Sequence, residues 1–126
     1  MSASIHSPGT VLVTEDEPMV RAVVAETLLD AGYTVQEAGD GMEAMETLEA
    51  GSIDLLITDI QMPRMNGYQL AEAAMARWPK LKIMLMTGYA REGVPVAIAS
   101  AGLPTLKKPF DLDRLPGLVS ELLARK

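Results

Sequence analysis

The stretch that most constrains this chain runs from Ile53 to Gly67, IDLLITDIQMPRMNG. Ile53, Leu55, Leu56, Ile57 and Thr58 are apolar or β-branched and lead directly into Asp59, and the pattern breaks at Met62-Pro63 and Asn66-Gly67. An apolar run bounded by turn residues predicts a strand covered on both faces, as inside a parallel sheet. Asp59 then stands where the strand ends, and open α/β sheets bind ligands outside the carboxyl ends of their strands. A carboxylate in that place can do chemistry if suitable groups from other strands meet it.

The rest of the chain alternates between short apolar runs and helical periodicity. Thr10 to Thr14 predicts a first strand ending at Glu15-Asp16. Pro18 suits the first turn of the next helix, where its missing N–H costs nothing, and Asp16 or Glu17 is the expected cap. Val20, Val23, Val24, Thr27 and Leu28 recur on one face of that helix, which Gly32 ends. Tyr33 to Ala38 predicts a second strand; Asp40-Gly41 then turns into a helix with Met42, Met45 and Leu48 inward and Gly51 as its stop. After the third strand a helix is predicted from Gly67 to Trp78, with Leu70, Ala73, Ala74 and Trp78 apolar and Pro79 ending it. Leu81 to Met86 predicts a fourth strand ending at Thr87-Gly88. Over residues 90–101 Gly93 and Pro95 interrupt the pattern, so the helix there is expected to be short, late-starting or irregular. Leu103 to Lys107 predicts a fifth strand, and Pro109 after Lys108 imposes a defined turn, with a cis bond as one option. The closing helix carries Leu115, Leu118, Val119, Leu122 and Leu123 on one face, with Asp113 as its expected cap and Pro116 in its first turn. Strand then helix, five times over, predicts an α/β doubly wound fold: one parallel sheet, right-handed crossovers and helices on both faces.

At 126 residues the chain can cover one core and is too short for a second. A net charge of −6 argues against a nucleic-acid partner, which needs a basic face, and leaves cations open. The absence of cysteine excludes disulfides, zinc–thiolate sites and thiol nucleophiles, and fits a cytoplasmic location. MSASIHSPG lacks the basic start and apolar core of a signal peptide. No apolar run approaches the roughly 20 residues that span a bilayer, so no membrane partner is expected. Residues 1–9 are expected to form a flexible tail, which leaves His6 without a role, and residues 10–126 the domain.

In such a sheet the strand ends converge on one rim. The first strand delivers Glu15 and Asp16, the third Asp59, the fourth Thr87 and the fifth Lys108. Carboxylates gathered within a few ångströms repel, and the cluster persists if a cation offsets the charge. Hard oxygens with no His or Cys suit Mg²⁺, which keeps waters that a phosphate can replace. A hydroxyl and an ammonium opposite the metal match the remaining oxygens of a phosphoryl group, so the set suits an aspartyl phosphate formed at Asp59.

The Glu15-Asp16 pair, the TDIQMP segment around Asp59, the Thr87-Gly88 step and Lys108-Pro109-Phe110 occur in this order. Together they resemble the receiver domain of bacterial two-component response regulators, over the stretch from Thr10 to Leu123. The resemblance implies a flavodoxin-like (βα)5 fold with strand order 2-1-3-4-5. It implies that Asp59 accepts a phosphoryl group from a histidine kinase or histidine phosphotransfer domain, with Mg²⁺ bound by Asp16, Asp59 and the backbone carbonyl of Gln61. Glu15 would hold the metal mainly through water. Thr87 and Lys108 would engage the phosphoryl group, joined by the backbone N–H of Gly88, while Gln61 and Tyr89 tune the access of water to it. By the same resemblance the domain is a signalling acceptor rather than an enzyme. Its output face is helix 4, strand 5 and helix 5, turned toward a downstream protein, in a monomer for which dimerisation on phosphorylation is the open alternative.

One position departs from the family. Three residues before the lysine, where Tyr or Phe is usual, stands Thr105, which has no ring to turn inward. Tyr89, or the segment around Gly93 and Pro95, is expected to report phosphorylation instead. Met19, on the outer side of the first helix, is a candidate kinase contact. A haloacid-dehalogenase-type hydrolase would also use Asp59 and Mg²⁺, but it needs an aspartate where Gln61 stands. The opening methionine and the close of the chain soon after its last apolar turn lead us to expect a stand-alone regulator. The alternatives are a receiver within a hybrid histidine kinase and a receiver-shaped interaction module that is never phosphorylated.

Overall fold

Side chains alternate along a strand, and in the runs at Val11–Val13, Leu55–Ile57 and Ile83–Met86 both sets are apolar, so both faces of the sheet must be covered. The computed structural model, which describes residues 9–88, 96–108 and 111–125, shows this arrangement. Five parallel strands, β1 (Thr10–Thr14), β2 (Thr34–Ala38), β3 (Leu55–Asp59), β4 (Lys82–Thr87) and β5 (Thr105–Lys107), lie in the order β2-β1-β3-β4-β5. Leu12, Leu56, Ile83 and Leu85 face one side, where α2 (Gly41–Ala50), α3 (Gly67–Arg77) and α4 (Val96–Ala101) add Ala44, Leu48, Leu70, Ala74 and Ile98. Val11, Val13, Leu55, Ile57, Met84 and Met86 face the other, covered by Val24 and Leu28 of α1 (Pro18–Asp30) and by Leu115, Val119 and Leu122 of α5 (Leu115–Ala124). This is the flavodoxin-like topology, and β3 lies at its centre.

Register levels the carboxyl ends. Thr14 pairs with Thr58, Asp59 with Met86 and Thr87 with Lys107, so the residues that follow these strands emerge on one rim. Among the described residues, no helix is long and apolar enough to cross a membrane.

Helix faces and caps differ from the sequence pattern in four places. On α1, Ala25 joins Val24 and Leu28 inside while Val23 is exposed, because the apolar residues of that helix are spread around it and mark no single face. On α2, Gly41, Ala44 and Leu48 turn inward and Met42 is exposed; Gly41 sits against the Met65 side chain, where a Cβ would clash. Neither Asp16 nor Glu17 caps α1 through its side chain: Glu17 is the N-cap residue, and its own N–H donates to Glu15 Oε2 at 3.2 Å. Nor does Asp113 cap α5. That helix is entered through a turn in which Arg114 N–H donates to the Asp111 carbonyl at 3.1 Å, with Pro116 in the first turn as expected. The expectations for the tail and His6 (Gly9 apart), for Tyr89, Gly93 and Pro95, and for the Lys108–Pro109 bond fall outside the described residues.

Gly67 fixes the position of β3. Its N–H donates to the Ile60 carbonyl at 2.9 Å, and a Cβ there would press into the Asp59 carbonyl oxygen and lie 2.7 Å from Ile60 Cα. Those are backbone atoms and cannot swing aside. At Gly41 the obstruction is the Met65 side chain, whose Sδ can swing aside while its Cβ, 2.9 Å away, is held by the backbone. Gly67→Ala is therefore expected to cost about 1–3 kcal/mol by overpacking, more than Gly41→Ala, as read from urea unfolding midpoints of the two variants.

Candidate functional site

The rim is built around Glu15. Its side chain is 1% exposed, and each of its polar atoms has a partner. The N–H donates to the Ala38 carbonyl at 3.1 Å, the carbonyl accepts from Arg21 Nη1 at 2.8 Å, Oε2 accepts from Glu17 N–H at 3.2 Å, and Oε1 accepts from Lys108 Nζ at 2.8 Å. Lys108 Nζ also lies 3.3 Å from Asp59 Oδ1, so one ammonium from the end of β5 bridges buried carboxylates that follow β1 and close β3. Lys108 is itself placed by its N–H, which donates to the Thr87 carbonyl at 2.6 Å.

Charge and burial compete here. Burial pushes the Glu15 and Asp59 carboxyls above the ordinary range; Lys108 opposes this, and each also feels a neighbouring carboxylate. For Lys108, burial pulls downward, but the hydrogen bond to Glu15 and the charges of Asp59 and Glu15 outweigh it and hold the ammonium above its usual value. Lys108 therefore stays cationic through the neutral range.

Glu15, Asp16 and Asp59 each offer a carboxylate oxygen, all within 4.8 Å of one another. Asp16 is exposed and the other two are buried, so the cluster opens to solvent on one side only. A cleft of about 420 Å³ lies over it, lined also by Glu17, Gln61, Gly88 and Lys108. Thr87 is buried one residue behind the wall that Gly88 forms. All-oxygen donors with one side open fit Mg²⁺, which binds through few carboxylates and keeps several waters. The structure thus brings Glu15, Asp16, Asp59, Gln61 and Lys108 to one cleft, while Thr87 is buried next to Gly88 in the chain and does not line it.

Residues 11–120 match the family described as response regulator receiver domain. The chain belongs to that family. It is a receiver domain of two-component systems, a signalling domain. Among its relatives, the response regulator receiver protein CpdR of Brucella abortus is 37% identical over 114 residues, 90% of this chain and 95% of CpdR. The sensor kinase CckA of the same organism is 34% identical over 128 residues, 99% of this chain, which spans 14% of that protein's length. A crystal structure of the response regulator TrrA from Thermotoga maritima, in complex with Mg²⁺ and beryllium fluoride, superposes with a TM-score of 0.81 at 32% identity, covering 90% of this chain and 98% of TrrA.

Arg21, Glu17 and the close approach of Gly67 are not evident from the motifs. Arg21 acts through a backbone carbonyl, which leaves no trace in side-chain chemistry; a fixed spacing from the acidic pair is the signal that could have exposed it.

A carboxyl whose folded-state pKa lies above its unfolded value costs stability when charged. That cost is absent below the unfolded pKa and complete above the folded one. In metal-free buffer, Asp59→Asn is therefore expected to raise Tm by a few degrees at pH 7 and to lose that gain as the pH falls through the wild-type carboxyl's range, with Glu15 retaining Lys108 as its partner. Scanning calorimetry at both ends of that range checks the sign.

Proposed function

We propose that Asp59 accepts a phosphoryl group from the phosphohistidine of a histidine kinase or histidine phosphotransfer domain, and that the resulting change controls a downstream protein. The observation that carries this reading is the meeting of Glu15, Asp16, Asp59 and Lys108, from three strands, around one solvent-open cleft. A carboxylate oxygen of Asp59 attacks phosphorus, the N–P bond breaks, and the imidazole keeps the bonding pair and takes up a proton. The carboxylates of Glu15, Asp16 and Asp59, with the backbone carbonyl of Gln61, are the groups to hold Mg²⁺, which when bound supplies positive charge to the phosphoryl oxygens. The beryllium fluoride complex of TrrA supports this, since that group with Mg²⁺ mimics an acyl phosphate.

Lys108 rests on Glu15 and Asp59. Adding about two negative charges at Asp59 draws its ammonium, and the Thr87 hydroxyl, toward the new group. Thr105 is half-buried, its hydroxyl 3.4 Å from the Leu103 carbonyl, and offers no ring to follow Thr87. We therefore assign the readout to Tyr89 or to the segment between β4 and α4, and the output surface to α4, β5 and α5. Residues 10–126 act as one receiver unit in this reading. The likeness to CpdR favours a stand-alone regulator, working as a monomer without a nucleic-acid or membrane partner in the cytoplasm; the likeness to CckA favours the second reading, a module within a hybrid sensor kinase.

Incubation with acetyl phosphate and Mg²⁺ is expected to add one phosphoryl group, seen by intact mass, and Asp59→Asn to take up none. Stoichiometric labelling of that variant at the same site refutes the assignment, multiple turnover of unrelated phosphomonoesters indicates a hydrolase, and no reaction indicates an unphosphorylated module. Lys108→Ala is expected to keep most of the Mg²⁺ affinity, yet to lose the amide shifts that beryllofluoride with Mg²⁺ induces beyond the rim. If those shifts stay within the rim in the wild type, the proposed readout fails.

A further inference from the structure

Arg21 is the one cation on α1, and its guanidinium does not reach for the nearby acidic side chains of the cleft. Nη1 donates to the carbonyl of Glu15 at 2.8 Å, and Nε pairs with Glu37 Oε1, near the end of β2, at 3.2 Å. The Arg21 side chain is 22% exposed and that of Glu37 46% exposed. An ion pair so exposed contributes little by itself, which leaves the bond to the carbonyl as the consequential contact. The Glu15 main chain is thus held on both sides of its Cα: its N–H by the Ala38 carbonyl at 3.1 Å and its C=O by Arg21. That main chain carries the Glu15 side chain and leads directly into Asp16. Gly39 completes the setting, because a Cβ there would lie 3.1 Å from Nη1 and crowd the guanidinium.

We propose that Arg21 is a positioning residue for the metal site, holding the main chain of the β1–α1 junction through the Glu15 carbonyl so that the Glu15 and Asp16 carboxylates stay aimed at a divalent cation. The inference rests on the reading of this cleft as a Mg²⁺ site. Its sign separates it from plain electrostatics. If Arg21 were only a nearby positive charge, removing it would leave the cluster more negative and tighten Mg²⁺ binding. If it positions the ligands, removing it loosens binding, as the loss of outer partners does at other metal sites.

The test is calorimetric titration of the full chain with Mg²⁺. Arg21→Met is expected to weaken binding about tenfold, the low end for loss of an outer partner. Arg21→Lys should recover to within about threefold of wild type, since an ammonium can take the carbonyl bond but not Glu37 as well. Gly39→Ala keeps every charge and displaces the guanidinium, so it should weaken binding about threefold, by the same displacement of an outer partner. Labelling by acetyl phosphate at saturating Mg²⁺ should remain near the wild-type rate in all three, the defect lying in the Mg²⁺ concentration required. Unchanged or tighter Mg²⁺ binding by Arg21→Met overturns the inference; should that variant fail to fold, unchanged binding by Gly39→Ala overturns it equally. A wild-type chain that takes up no Mg²⁺ overturns the underlying site reading instead.

Discussion

One ammonium between two buried carboxylates is the contact on which the rim depends. Without Lys108, Glu15 and Asp59 would be buried like charges without the ammonium that pairs with both, so losing the lysine costs far more than losing one carboxylate, which leaves the other still paired. Burial still holds the carboxyls above the ordinary range, Lys108 pulls them back down, and the same carboxylates hold the lysine charged. The site therefore has a resting arrangement of its own. A change in charge at Asp59 redistributes an existing contact and need not create one.

The scaffold exists to level three strand ends. The register of β1, β3, β4 and β5 sets the height of the rim, and two-sided burial of the strands keeps that register from slipping. Gly67 then brings the start of α3 directly against the Asp59 and Ile60 backbone, so the β3–α3 connection doubles back under the acid. The capping box of Asn66 and Gln69 closes that turn with bonds of 2.9 Å in each direction. Precision at the carboxylate comes from main chain packed on main chain, which has no rotamers to vary.

Much of this was legible in the residues. β1 spans Thr10–Thr14 as its pattern indicates, and β3 runs into Asp59 because a two-face-buried strand has no polar alternation to confuse its reading. The acids and Lys108 lie at one cleft, where the strand ends direct them; Gln61, placed there by the resemblance, also lines it, and Thr87 does not. Helix orientation was less legible: Val23 and Met42 are as apolar as their buried neighbours, and on α1 the apolar residues mark no single face, while on α2 the small Gly41 and Ala44 take the inward positions. The caps of α1 and α5 were misread for a related reason. Glu15 already serves Lys108 and Glu17 N–H, and Asp111 already closes the turn before α5, so ordinary capping preference gave way to local demand.

The single tryptophan, Trp78, lies at the C-cap of α3 with the Arg77 guanidinium 4.6 Å above its ring, and the Leu81 N–H donates to its carbonyl at 3.0 Å where the chain enters β4. It therefore stands at the amino ends of the strands, the whole depth of the sheet away from Asp59. Its surroundings belong to the α3–β4 corner and to the Arg77 guanidinium stacked on it. The one indole of this chain thus reports on the end of the sheet opposite the acidic cleft.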